Sequence, residues 1–131
     1  MSQSWLSALL VFLGGGTGAV LRHVVNASVT RGFGSGLPWG IFTINVTGSI
    51  CMGLVTGWLA FKSGPFWTQN VRLLLTTGVL GGYTTFSAFS LDAALLWQRG
   101  EPGMALLYVA GSVGFSILGL FLGLALMRTL A

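Results

Sequence analysis

Apolar residues fall into four long runs along this chain, with almost no charge inside them. The first runs from about Trp5 to Val25, and the second from about Pro38 to Phe61. The third runs from about Trp67 to Trp97, and the fourth from about Met104 to Met127. One membrane crossing needs about 20 mainly apolar residues, so the runs predict four spans. The third is too long for one simple crossing. Pro38 suits a first helical turn, where its missing N–H costs nothing. The connections near 28–36, 62–66 and 98–103 hold most of the remaining Gly, Pro and charge. Trp39, Trp67 and Trp97 stand near span ends, where aromatic belts form. The start Met-Ser-Gln-Ser-Trp has no basic n-region, so the first run reads as a retained helix rather than a signal peptide. The pattern predicts an all-α membrane protein, with residues 1–131 as a single four-helix transmembrane domain in the cell (inner) membrane.

Composition agrees. Residues are 53% hydrophobic and 6% charged, against roughly 25% charged in soluble domains. The net charge is +4, but its six basic residues stand singly, without the patch that nucleic acid requires. Cys51, the one cysteine, excludes an internal disulfide and reads as a small buried apolar residue. Lys62, Arg72 and Arg128 flank the spans on the N-terminal side; Arg22, Arg31 and Arg99 flank them on the other. Lys and Arg bias sets orientation, and three against three gives none. The expectation is insertion both ways and an antiparallel, dual-topology homodimer, against the simpler case of one orientation set by other factors. Glycines recur in the first span (Gly14, Gly15, Gly16, Gly18) and the fourth (Gly111, Gly114, Gly119, Gly123). Small residues let helices approach in lipid, so these read as packing devices.

The third run carries Gly78-Val79-Leu80-Gly81-Gly82-Tyr83-Thr84-Thr85-Phe86-Ser87-Ala88-Phe89-Ser90. Two adjacent glycines weaken a helix by roughly 1 kcal/mol each, which predicts a break at Gly81-Gly82. Bare carbonyls in hydrocarbon need partners. A cation, an anion on the following half-helix, or a kink with Ser/Thr back-bonding would each answer. Phe86 and Phe89 share a helix face, and the electropositive edge of a ring favours an anion over a cation. Asn45 lies mid-span, where its amide either donates to an anion or fastens two helices. Tyr108, Ser112 and Ser116 fall at i, i+4 and i+8, as a donor track or as interhelical glue. Arg22 either snorkels or concentrates anions at a vestibule, and His23 beside it reads as interfacial. Asp92, the one acid within a predicted span, stays open as a functional candidate.

These elements together resemble the CrcB/Fluc family of fluoride channels. The matching residues are Gly15-Gly16-Thr17-Gly18-Ala19-Val20-Leu21-Arg22, Asn45 with Gly48, and Gly81 through Ser90. The resemblance covers essentially the whole chain. It implies a dual-topology dimer with two fluoride pathways and a structural sodium ion at its centre, held by the Gly81 and Thr84 carbonyls. It implies pore residues Phe86, Phe89 and Asn45, a polar track of Ser87, Tyr108, Ser112 and Ser116, and Arg22 at a vestibule. The family pattern carries threonine where this chain has Ala88, so one hydroxyl is absent from the track. The implied partners are fluoride, a second copy and membrane lipid.

The physics of the implied function is simple. HF crosses membranes and dissociates in the more alkaline cytoplasm, trapping fluoride there. A passive channel then exports the anion and relieves its toxicity. Nothing in the sequence suggests a nucleotide site or covalent nucleophile, so no enzyme is expected. A proton-coupled multidrug exporter would need an acid deep in a span, and the first span has none. A non-transporting assembly protein would use its Ser, Asn and Gly for packing alone.

Overall fold

A computed structural model describes residues 2–61 and 69–130. The expectations placed on Lys62, Trp67 and the connection at 62–66 lie outside the described residues.

Helix α1 covers Gln3–Phe33 and α2 covers Trp39–Phe61. The third span, Gln69–Gln98, is built of α3 (Gln69–Arg72), a π-helical segment (Leu73–Leu80), α4 (Gly81–Tyr83) and α5 (Phe86–Gln98). Helix α6 covers Pro102–Leu130. All four spans are long and apolar enough to cross a membrane. The chain is a multi-pass, all-α membrane protein.

The first span is longer than its apolar run. Helix α1 continues past Val25 through Asn26, Ser28 and Arg31, because no breaker precedes the terminal glycines. It stops at Gly34, which takes φ 81°, and its N–H bonds the Thr30 carbonyl at 2.8 Å. Arg22 is therefore mid-helix, not at a helix end. A matching stop ends α5. Gly100 takes φ 80°, with Gly100 N–H on Trp97 O and Glu101 N–H on Leu96 O, a Schellman closure. Pro102 then opens α6 at the position where proline is preferred.

The chain does not leave the helix at Gly81-Gly82, where the sequence predicts a break. Gly81 is α-helical (φ −64°, ψ −39°). Extended backbone falls instead at Thr84 (ψ 157°) and Thr85 (φ −152°, ψ 123°). The glycines serve contact: a Cβ on Gly82 would lie 2.9 Å from the Gly15 Cα. The two threonines compensate for their own backbone. Thr84 Oγ1 donates to Leu80 O at 2.9 Å, and Thr85 Oγ1 accepts from Ala88 N at 3.2 Å as the cap of α5.

Two backbone-close seams hold the bundle. Gly14 and Gly18 of α1 abut the π-helical segment and α4, and Gly53 and Gly57 of α2 abut α6 at Gly123 and Met127. In lipid such contacts work through dispersion rather than the hydrophobic effect. Not every glycine packs: a Cβ on Gly16 or Gly114 would meet nothing within 4 Å. The buried apolar cluster lies between α2, α5 and α6, centred on Ile44, Phe89, Leu96 and Tyr108. Cys51, expected buried, is exposed.

Candidate functional site

Helices α2, α5 and α6 and the Thr84–Thr85 link enclose a groove of about 380 Å³. Its wall includes Asn45, Thr84, Thr85, Phe86, Phe89, Ser112 and Ser116, among apolar Met52, Val113, Ile117 and Leu120. No acidic side chain lines it. What it offers an ion is hydroxyl and amide donors and ring edges.

Asn45 sets the local geometry. Its Nδ2 donates to Thr85 O at 3.0 Å, and its Oδ1 accepts from Thr85 N at 2.9 Å. One side chain thus satisfies both backbone groups of a buried residue whose extended φ,ψ removes it from the helix ladder. The second N–H of the amide remains for another acceptor. The interhelical bond and the anion donor are therefore compatible.

Phe86 and Phe89 sit with ring centroids 5.5 Å apart. They differ in burial: Phe89 is 8% exposed and Phe86 is 78% exposed. Phe89 in turn packs against Tyr108 at 5.3 Å. On α6, Ser112 Oγ and Ser116 Oγ are buried and have no hydrogen-bond partner. A buried hydroxyl left unpaired costs about 1–3 kcal/mol, and both of these stand in the groove wall.

The Tyr108–Ser112–Ser116 stripe divides. The two serines face the groove, whereas Tyr108 lines a different, apolar cavity and its hydroxyl donates to Asp92 Oδ2 at 3.4 Å. A tyrosine reaches far beyond the position of its Cα, so equal spacing did not put its hydroxyl beside the serines. Asp92, left open by sequence, is thus tied to Tyr108. Ser87 is exposed, lies outside the groove wall, and its hydroxyl is 3.3 Å from Thr85 Oγ1. Ala88 is half-buried against the apolar cluster.

Arg22 Nη1 donates to Thr84 O over a long 3.4 Å. This places its charge at the extended link, far from the end of α1. The Gly81 carbonyl loses its helical donor, because the N–H four residues on, that of Thr85, turns to Asn45. Sequence reading missed Thr85 itself. A threonine directly before an apolar-periodic helix is an N-cap signal that could have found it. Met52 carries no such signal.

Nearly the whole chain is also similar to known proteins. Residues 9–124 match the family described as CrcB-like protein, Camphor Resistance (CrcB). A protein of Rhodopseudomonas palustris (strain BisB5), named fluoride-specific ion channel FluC, is 58% identical over 125 residues, covering 95% of this chain and 99% of its own length. Fluoride-specific ion channel FluC 2 of Nitrobacter hamburgensis is 58% identical over the same shares. The FluC protein of Novosphingobium aromaticivorans is 54% identical over 123 residues, covering 92% of this chain and 95% of its own. The chain belongs to the CrcB family.

Proposed function

We propose that this chain is a passive fluoride channel, not an enzyme, which lets fluoride leave the cytoplasm as an antiparallel dual-topology homodimer. The observation that carries the reading is the pair of buried, unpartnered hydroxyls of Ser112 and Ser116, in one groove with Asn45, Phe86 and Phe89. The relatives' names supply the ion.

Fluoride is small and tightly hydrated, so a pore must replace its shell with donors. Ser112, Ser116 and the free N–H of Asn45 provide them, and the electropositive edges of Phe86 and Phe89 provide weaker ones. A cation finds no carboxylate in the groove. The groove is open on one side, and Phe86 in its wall is 78% exposed. A second, inverted copy would close it, and the even distribution of Lys and Arg permits that copy.

We read the extended Thr84–Thr85 link as the helix break of the third span, with a structural sodium ion held nearby at the dimer axis. The Gly81 carbonyl, freed from the helix ladder, fits a cation. Thr84 O keeps a second lone pair beside its long contact with Arg22. When bound, sodium would supply a positive centre that fixes the two copies. Gly81 and Thr84 of each subunit would hold it.

The test is fluoride efflux from liposomes carrying the purified protein. Wild type is expected to pass fluoride and reject chloride, with flux falling when sodium is replaced by a large organic cation during purification. Phe86→Ile and Phe89→Ile are each expected to cut flux more than tenfold. Vigorous flux with both rings replaced would remove the pore assignment. A detergent-solubilised particle of one copy would remove the dimer.

A further inference from the structure

The groove wall holds one more helix hydroxyl, that of Ser49 on α2, one turn beyond Asn45. Serine and threonine inside helices commonly return their proton to the carbonyl one turn back. Thr47, Thr76 and Ser90 do so, at 2.6, 2.7 and 3.0 Å. Ser49 has the Asn45 carbonyl in the same place and leaves it. Among the described residues its hydroxyl makes no hydrogen bond. Ser49 is half-buried, so the free proton has groove volume to turn into. A packing role asks only for small size here. Gly48 already supplies the close approach to Thr84, and Gly53 the approach to α6 at Leu120.

The packing register gives Ser49 its place along the groove. Helices α2 and α6 run in the same direction, with Phe42 facing Gly111, Ile50 facing Gly119 and Gly53 facing Gly123. Ser112 is therefore level with the Phe42 turn and Ser116 with Val46. Ser49 stands three residues further on, about 4.5 Å at the helical rise. The unpartnered donors thus follow one another along the axis as Ser112, then Ser116 beside Asn45, then Ser49, and pass from α6 to α2 on the way. Past Ser49 the wall on these two helices is Met52 and Leu120. A hydroxyl reaches an acceptor at about 2.7 Å, so one ion between Ser116 and Ser49 can hold both across an axial step of that size.

We propose that Ser49 is a fluoride-binding residue, the donor that follows Ser116 on the ion's path and the last one on α2 and α6 before the wall turns apolar. The proposal rests on the fluoride-channel reading. Its physical content is that an ion leaving Ser116 meets a second hydroxyl before it gives up the first, so part of its hydration shell stays replaced throughout the step.

The experiment is fluoride efflux from liposomes carrying the full chain, with the unfolding temperature measured on the same preparations. Ser49→Ala is expected to slow efflux about fivefold, which is about 1 kcal/mol of barrier, and to leave the unfolding temperature unchanged or raised. Ser49→Cys keeps the side-chain size but offers only a weak S–H donor, and should slow efflux as much as the alanine. Wild-type efflux in both variants would overturn the proposal. Efflux kept by cysteine and lost by alanine would make the position one of volume and overturn it too. Efflux and unfolding temperature falling together would make Ser49 structural, with the same consequence. A wild type that passes no fluoride sinks the channel reading and this one with it. A conducting wild type that is slowed by Ser112→Ala and Ser116→Ala but not by either Ser49 variant sinks this one alone.

Discussion

Before Gly82, the third span lies backbone against backbone on α1, through Gly14, Gly18 and Gly78. Beyond it, the same span faces a groove where two buried hydroxyls of α6 have no partner. The first region gains stability from contact alone and has no space to give. The second leaves two donors of α6 unpaired, at a cost in stability. Between them, the Asn45 side chain replaces both ladder bonds of Thr85. Close backbone contact and an open groove wall thus fall on adjacent stretches of one span, and mutations should separate them.

The largest effect is expected at the seam. A Cβ on Gly18 would lie 2.7 Å from Tyr83 N and on the Val79 backbone. Backbone cannot rotate aside as a side chain can. Gly18→Val should therefore cost about 3 kcal/mol or more, read as loss of folded protein in detergent and a lower unfolding temperature. Gly16→Ala on the same helix, where nothing lies within 4 Å, should leave stability unchanged or raise it by up to about 1 kcal/mol. Equal damage from both would break the distinction between seam and open face.

Asn45→Ala comes next. It strips the N–H and C=O of buried Thr85 of their partners, and should cost about 1–2 kcal/mol, given that interhelical bonds in membranes average less than about 1 each. Asn45→Asp sharpens the test. Its carboxylate can still accept from Thr85 N, but it cannot donate to Thr85 O and it repels anions. It should keep more stability than the alanine variant and pass less fluoride. An aspartate variant that conducts like wild type would leave Asn45 a staple only.

How far sequence reached follows the same division. The four spans were legible because lipid demands long apolar runs, and nothing tertiary enters that demand. The end of α1 was not, since hydropathy marks the hydrocarbon and not the helix, which runs on to Phe33. The Gly81-Gly82 pair was read as weakness. Whether glycine marks a weak point or a close approach depends on what stands opposite, here Gly15, which no local pattern reveals. Nor does any residue from Leu73 to Leu80 announce a π-helical stretch. At the site, Asn45, Phe86, Phe89, Ser112 and Ser116 were legible as residue types and do share one groove. Tyr108 and Ser87 were not separable from them by spacing, because side-chain length and direction decide where a hydroxyl ends.

The smallest stability change carries the sharpest test. Ser112 Oγ and Ser116 Oγ are buried without a partner, so removing either deletes an unsatisfied group and leaves none behind. Ser112→Ala and Ser116→Ala should leave stability unchanged or raise it by up to about 1 kcal/mol, the opposite sign to Asn45→Ala. If the hydroxyls replace part of the hydration shell of fluoride, each variant should still slow efflux several-fold. Interhelical glue predicts the reverse pairing, with stability lost and flux kept. Unfolding temperature and efflux measured on the same preparation therefore separate the two readings, because they move in opposite directions only where a polar group is held ready for the ion.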